Sequence, residues 1–91
     1  MTFAVVGLNH TTASLAIRER FAISEDQVKG VAQEIVESKN DEAIVLSTCN
    51  RVEFYVTGED LNAVTNRAKT KLSAIGKATS DLLTQHCYIK V

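Results

Sequence analysis

The sequence contains no proline, no tryptophan and only two cysteines in 91 residues, and its apolar runs are short. A helix that spans a membrane needs about 20 consecutive apolar residues, so no such segment is predicted. The N-terminus lacks the basic stretch and the following apolar stretch of a secretory signal. Two cysteines do not make the framework of a disulfide-rich secreted domain, and the sequence therefore favours a reducing, cytoplasmic environment.

Neither sign of charge is in excess, since 10 Lys and Arg residues stand against 11 Asp and Glu residues, for a net charge of −1. A protein that holds nucleic acid by its backbone usually has a basic surface. Any contact with RNA is therefore expected to be local, or to depend on positive surface elsewhere in a longer protein. The sequence also lacks G-x-G-x-x-G and a phosphate-binding loop, which excludes dinucleotide binding through those motifs.

The apolar residues that are present form the alternating pattern of one small domain. Apolar runs and period-two alternation predict four strands, at 3–8, 43–46, 52–56 and 86–91. Apolar stripes predict helices at 24–39 and 61–75, and shorter helical turns are expected at 15–21 and 79–84. Ser24 and Gln27 form a capping box, and Asn40 is a candidate left-handed stop. Seven apolar residues are predicted to share one core: Val5, Val28, Ile35, Val45, Phe54, Val64 and Leu72.

The order β-α-β-β-α-β predicts a ferredoxin-like α+β sandwich, in which two helices cover one face of a four-stranded antiparallel sheet with strand order 4-1-3-2. This topology brings the end of the first strand, the hairpin between the second and third strands and the start of the fourth strand to one edge. Because neighbouring strands lie ~4.8 Å apart, His10, Cys49, Arg51 and His86 are expected to lie near each other there.

Cys49 is the first candidate for chemistry, because it lies at a polar hairpin tip between two apolar strands. Thiolate chemistry needs access and a nearby positive charge, which Arg51 provides. Each residue also has a simpler interpretation: Cys49 as a small core residue, Arg51 as a solvated charge, His10 as a hydrogen-bonded turn histidine. The spacing of cysteines and histidines includes no C-x-x-C or H-x-x-x-H, so neither zinc nor a Cys49–Cys87 disulfide is favoured.

Two segments resemble the motifs of the glutamyl-tRNA reductase family. VVGLNHTTASLAIRERF, at 5–21, is similar to the opening G-x-N-H-x-T-A segment of that family. STCNRVEFYVTG, at 47–58, is similar to the signature around the family's nucleophilic cysteine. The second motif is specific and the first supports it. With the helix between them, the resemblance covers essentially the whole chain.

The resemblance implies an enzyme that reduces the activated α-carboxyl of glutamate on glutamyl-tRNA to glutamate-1-semialdehyde with NADPH, the first step of five-carbon tetrapyrrole biosynthesis. It implies that Cys49 forms a glutamyl thioester, that Arg51 pairs with the side-chain carboxylate, and that Thr48 and His10 line the pocket. It also implies a homodimeric full-length enzyme, with the downstream aminomutase as a further partner.

The chain departs from the family pattern in two ways. Ser14 stands where the family commonly has proline, which concerns only the loop after His10. The chain also ends at Val91, before the family's NADPH-binding and dimerisation domains. Residues 1–91 are therefore expected to be a single N-terminal catalytic domain that binds no metal, with NADPH bound by a domain outside this chain.

A non-catalytic module is the competing interpretation, since ferredoxin-like domains also serve as regulatory or RNA-binding modules. The RNA-binding version stacks bases on aromatic residues of the sheet. Phe54 and Tyr55 are adjacent on one strand and must point to opposite faces, which weakens this alternative. Thiol labelling distinguishes the two interpretations, because a catalytic Cys49 should react much faster than Cys87.

Overall fold

The chain forms its strands and helices in the order that the apolar pattern predicts. A computed structural model describes residues 2–91. The elements are β1 (Ala4–Asn9), α1 (Leu15–Phe21), α2 (Glu25–Ile35), β2 (Glu42–Ser47), β3 (Arg51–Thr57), α3 (Leu61–Gly76), α4 (Ser80–His86) and β4 (Tyr88–Lys90). None of these helices is both long and apolar enough to cross a membrane within the described residues.

The four strands form one sheet in the order β2-β3-β1-β4, and every neighbouring pair is antiparallel. Helix α2 packs on β2, while α3 packs on β3 and β1. The predicted ferredoxin-like α+β fold and its strand order are therefore confirmed. In residues 2–91 the other face of the sheet, called the open face, carries both polar and apolar side chains, and Ile44 and Leu46 are exposed on it.

The core lies between the sheet and the helices. Of the seven predicted core residues, five are buried: Ile35, Val45, Phe54, Val64 and Leu72. Val28 is only partly buried and packs against the edge of this core. The prediction for Val5 is wrong, because Ala4, Val6 and Leu8 point into the core and strand alternation places Val5 on the open face.

The start of α2 differs in detail from its prediction. Ser24 is the N-cap residue, but its hydroxyl makes no capping hydrogen bond. Instead, the N–H of Gln27 donates to the backbone carbonyl of Ser24 at 2.9 Å. The capping box is therefore not formed, and Ser24 caps the helix through its main chain.

The two long helices end in different ways, and only the end of α2 differs from its prediction. Asn40 does not end α2 in a left-handed conformation; among the non-glycine residues described, only Lys77 has a positive φ, of 50°. Lys77 follows α3, and Arg20 of α1 donates to the carbonyls of Gly76 and Lys77 at 3.0 and 3.1 Å. The side chain of Arg20 thus satisfies carbonyls that the helix end leaves without intrahelical partners.

Helix α2 ends at Ile35, four residues before the predicted end, because a buried aspartate organises the chain that follows. Asp41 accepts hydrogen bonds from the backbone N–H groups of Glu37 and Ser38, both at 3.1 Å. Arg67 of α3 pairs with Asp41 and also donates to the carbonyl of Ile35 at 2.8 Å. These contacts provide partners for groups that a longer helix would have paired internally.

Asp41→Asn should lower the stability of the domain most at neutral pH. Hydrogen bonds from the backbone N–H groups of Ser38 and Glu37 lower the pKa of Asp41, although burial acts in the opposite direction. A depressed pKa contributes stability that is present above the unfolded aspartate pKa of ~4 and is lost as the pH falls through the folded pKa. Urea unfolding should therefore give free energies for wild type and Asp41→Asn that differ most at about pH 7, and the difference should shrink as the pH falls below ~4. A difference that stays constant with pH would contradict this assignment.

Candidate active site at one end of the sheet

The end of β1 and the start of β3 meet at one end of the sheet, where Asn9 pairs with Arg51. His10 comes directly after Asn9, in a loop at 10–14 that leads into α1. Cys49 lies in the hairpin that joins β2 to β3, two residues before Arg51. The predicted convergence of His10, Cys49 and Arg51 on one end of the sheet is therefore confirmed.

The hairpin that carries Cys49 is held by Thr48. The N–H of Thr48 donates to the carbonyl of Arg51 at 2.8 Å and closes the turn. The hydroxyl oxygen of Thr48 accepts hydrogen bonds from the N–H groups of Asn50 and Arg51, both at 3.2 Å. Cys49 is left at the tip as an exposed free thiol. Thr48 therefore shapes the turn that presents the thiol, a role that the sequence analysis did not assign to it.

Arg18 of α1 joins the Cys49 hairpin to the loop after β1. Its Nε donates to the backbone carbonyl of Cys49 at 3.0 Å, and its Nη1 donates to the carbonyl of Ala13 at 2.7 Å. One guanidinium thus fixes the relative position of two loops that are far apart in sequence. Arg18 was not among the predicted site residues, although it lies within the first motif.

The two histidines lie at this end in different settings. His10 is exposed in the loop after β1. The Nδ1 atom of His86 lies 2.9 Å from the carbonyl oxygen of Thr12, within hydrogen-bond distance. His86 is the last residue of α4 rather than the first of β4, which begins at Tyr88. His86 therefore anchors α4 to the loop that carries His10.

Arg51 lies beside a buried carboxylate on the open face of the sheet. Its Nη1 is 3.4 Å from Oε1 of Glu53, and 43% of the Arg51 side chain remains exposed. Glu53 accepts a hydrogen bond from the hydroxyl of Tyr55 at 2.8 Å and another from Tyr88 of β4. Asn9 in turn donates to the hydroxyl of Tyr88 at 3.2 Å. The arginine therefore has one side restrained and another side open to solvent.

The electrostatics keep Glu53 charged and the tyrosines neutral. Burial on its own would raise the pKa of Glu53, but hydrogen bonds from Tyr88 and Tyr55 and the charge of Arg51 lower it overall. Burial and the hydrogen bond to Glu53 raise the pKa of Tyr88 to about 12. The pKa of Tyr55 is also raised, first by its hydrogen bond to Glu53. Both hydroxyls therefore remain donors at neutral pH.

Gly7 of β1 makes room for this carboxylate. A Cβ at this position would lie 2.3 Å from the carbonyl oxygen of Val52, 2.8 Å from Cα of Glu53 and 2.9 Å from Cγ of Glu53. Gly7 pairs with Glu53 on one side and with Tyr88 on the other. The side chains of Glu53 and Tyr88 meet across the position where any other residue would carry a side chain.

The second cysteine lies in a different environment. Cys87 is half-buried between α4 and β4, and its Sγ lies 3.7 Å from the carbonyl oxygen of Tyr88. Burial raises the pKa of the Cys87 thiol. No disulfide joins Cys87 to Cys49. Residues 2–91 also contain no group of three or more His, Cys, Asp or Glu side chains that could hold a metal ion.

An exposed thiol and a partly exposed guanidinium at the same end of the sheet can together serve one kind of chemistry. The sulfur can attack an activated acyl group, and the planar guanidinium can bind a carboxylate of the same molecule through two parallel hydrogen bonds. The structure thus defines a small α+β domain with an exposed cysteine and a partly exposed arginine at one end of its sheet.

Comparison with known proteins identifies the family to which this domain belongs. The model of the N-terminal domain of glutamyl-tRNAGlu reductase matches residues 6–91. Because the match covers nearly the whole chain, the chain belongs to the glutamyl-tRNA reductase N-terminal domain family, as the two sequence motifs predicted.

Curated relatives support the same assignment, and those described here are all named glutamyl-tRNA reductase. The protein from Natranaerobius thermophilus is 41% identical over 91 residues, which cover 97% of this chain and 20% of the relative. The protein from Citrifermentans bemidjiense is 38% identical over 89 residues, with 97% and 20% covered. The protein from Trichormus variabilis is 34% identical over 90 residues, with 98% and 21% covered. The chain thus spans about a fifth of the length of the curated relatives it matches.

Proposed function

We propose that residues 1–91 are the catalytic domain of a glutamyl-tRNA reductase, which converts glutamyl-tRNA to glutamate-1-semialdehyde at the start of five-carbon tetrapyrrole biosynthesis. The observation that carries the proposal is the exposed thiol of Cys49 on a fixed hairpin that leads, two residues later, to the partly exposed Arg51 at the start of β3. In this proposal the longer protein is a cytoplasmic homodimer, with the downstream aminomutase as a partner.

The first half of the proposed reaction needs only this domain and glutamyl-tRNA. The Cys49 sulfur, as thiolate, attacks the α-carbonyl carbon of the ester that joins glutamate to the tRNA. A carbon–sulfur bond forms, the carbon–oxygen bond to the tRNA breaks, and the 3′-oxygen leaves with a proton. The product is a glutamyl thioester on Cys49 and free tRNA.

The second half requires a hydride, which must come from a molecule other than the domain and the tRNA. No phosphate-binding loop or G-x-G-x-x-G segment is present in the sequence. In the proposal, NADPH binds to another domain of the longer protein and provides the hydride that reduces the thioester. The aldehyde then leaves, and the Cys49 thiol is regenerated.

The remaining predicted residues have supporting roles in the proposal. Arg51 pairs with the side-chain carboxylate of the glutamyl group, and its exposed portion is the part available for that contact. Thr48 lines the pocket and also fixes the turn through its hydroxyl oxygen. His10 lines the pocket from the loop that Arg18 joins to the Cys49 hairpin.

The proposal is tested on the full-length protein with glutamyl-tRNA labelled in its glutamate. Without NADPH, the label should become bound to protein through a bond that hydroxylamine cleaves, as expected of a thioester. With NADPH, the label should leave as glutamate-1-semialdehyde. Binding of tRNA without any transfer of label would instead favour the non-catalytic alternative, in which this domain is a regulatory or RNA-binding module.

The RNA-binding alternative has one structural observation in its favour. Tyr55 and Tyr88 share the open face of the sheet, and Nζ of Lys90 lies 4.8 Å from the centroid of the Tyr88 ring. Both tyrosine hydroxyls are, however, committed to Glu53. The open face therefore serves to hold a charge beside Arg51, which agrees better with the catalytic proposal.

Arg51→Lys should reduce the preference of the full-length enzyme for glutamyl-tRNA over the same tRNA charged with glutamine. Lysine keeps the positive charge but loses the planar fork that binds a carboxylate through two hydrogen bonds. We expect the ratio of the two kcat/KM values to fall by roughly tenfold or more, since specificity of this size depends on hydrogen-bond geometry. An unchanged ratio would show that Arg51 does not contact the side-chain carboxylate.

A further inference from the structure

A carboxylate that the proposed reaction does not use is buried beside Arg51. Glu53 is only 6% exposed, although it lies on the sheet face that the helices leave uncovered. A buried carboxylate is costly unless hydrogen bonds and opposite charge compensate for the lost water. Here the compensation comes from Tyr55, Tyr88 and Arg51 together.

The contact with Arg51 is the weakest of the three. One guanidinium nitrogen lies 3.4 Å from Oε1 of Glu53, whereas the hydroxyl of Tyr55 lies 2.8 Å from the same oxygen. Tyr88 binds the other oxygen, Oε2. Because the two tyrosines already satisfy the carboxylate, Arg51 is not drawn into the close bidentate pair that arginine usually makes with a carboxylate. Its remaining N–H groups stay available to another anion.

The carboxylate is itself fixed by the loop that contains His10. Asn9 donates from Nδ2 to the hydroxyl of Tyr88 at 3.2 Å, and its Oδ1 accepts from the N–H of Thr11 at 2.9 Å. A continuous set of hydrogen bonds therefore runs from this loop through Tyr88 and Glu53 to Arg51. The orientation of Arg51 depends on residues from three strands and one loop.

We propose that Glu53 is a positioning residue: it holds one edge of the Arg51 guanidinium so that the other edge faces the side-chain carboxylate of the bound glutamyl group. This inference rests on the proposed function, in which Arg51 makes that contact. Glu53 touches no reacting atom, and its effect reaches the substrate only through Arg51. It restrains the arginine and leaves its charge only partly neutralised.

The test uses the full-length enzyme with Glu53→Gln, which preserves the shape of the side chain and removes its charge. Loss of the restraint should raise KM for glutamyl-tRNA and reduce selection against the glutamine-charged tRNA by roughly ten- to a hundredfold, because small errors of placement weaken oriented contacts strongly. The value of kcat should change by no more than a few-fold, since Cys49 and its hairpin are untouched. If Glu53→Gln does not fold, Tyr88→Phe should show the same direction with a smaller effect.

Asp41→Asn is the matched control, because Asp41 is also a buried carboxylate paired with an arginine. Asp41 directly precedes the start of β2, whereas the candidate site lies at the end of that strand. It should lower thermal stability and leave the selection ratio unchanged. Equal loss of selection in Asp41→Asn and Glu53→Gln would overturn the positioning role, as would an unchanged ratio in Glu53→Gln and Tyr88→Phe. Failure of the wild type to take up labelled glutamate would refute the proposed function itself, and the inference with it.

Discussion

The full-length enzyme that carries Cys49→Ser should have a reductase kcat at least about 1,000-fold lower than that of the wild type. In other enzymes, removal of a covalent nucleophile lowers kcat by this factor or more. A serine hydroxyl is a much weaker nucleophile than a thiolate unless a base lies next to it. The partners of the Cys49 hairpin are backbone groups, the Thr48 hydroxyl and the Arg18 guanidinium, and none of these can accept the proton as a neutral base would. The measurements are aldehyde formation with NADPH and protein-bound glutamate without it.

Cys87→Ser provides the internal control for this prediction. The Cys87 thiol is half-buried, and burial raises its pKa, so little of it is ionised at neutral pH. Cys87→Ser should therefore retain reductase activity within a few-fold of wild type. Equal loss of protein-bound glutamate in the two variants, or its retention in Cys49→Ser, would exclude Cys49 as the sole nucleophile.

The fold could be predicted from the sequence because apolar residues recur with different periods in strands and in helices. The β-α-β-β-α-β order has few compact arrangements, and the predicted strand order is the one found. The error at Val5 has a physical origin. FAVVGL is apolar at nearly every position, and such a run does not reveal which alternate residues point into the core.

The end of α2 could not be predicted because long-range contacts decide it. The apolar stripe continues to Val36, but Asp41 and Arg67 supply partners for the main chain at that point. Local preference for helix is weak compared with contacts of this kind. A sequence motif includes only residues that are close in the chain, whereas Arg67 is 26 residues from Asp41.

The candidate site was predictable to the extent that it depends on topology. The hairpin position of Cys49, the adjacent Arg51 and the loop with His10 all follow from strand order. The network behind Arg51 does not, because it requires the register that places Gly7 between Glu53 and Tyr88. Period-two alternation treats Glu53 as a residue of the polar face, and only the pairing of three strands reveals that the carboxylate is buried.

Gly7→Ala should be strongly destabilising for a change of a single methyl group, with a loss of about 2–3 kcal/mol in the free energy of unfolding. The added Cβ would lie 2.3 Å from a backbone oxygen of Val52 and 2.8 Å from the backbone of Glu53. A flexible side chain could move away from a methyl group, but these are main-chain atoms of the neighbouring strand. Relief therefore requires β1 and β3 to separate, and this would break the pairing that holds the sheet and the candidate site together.

Gly30→Ala is the matched control, because it adds the same methyl group in α2, where a Cβ would meet nothing within 4 Å. Alanine is favoured over glycine inside a helix by about 1 kcal/mol, so Gly30→Ala should raise the free energy of unfolding slightly. Urea unfolding of both variants, followed by circular dichroism, measures the contrast. A loss of less than about 1 kcal/mol in Gly7→Ala would mean that the strands can move apart cheaply. In that case Glu53 would lose the close approach across Gly7 that allows its carboxylate to reach Tyr88, and the site would have to be held in another way.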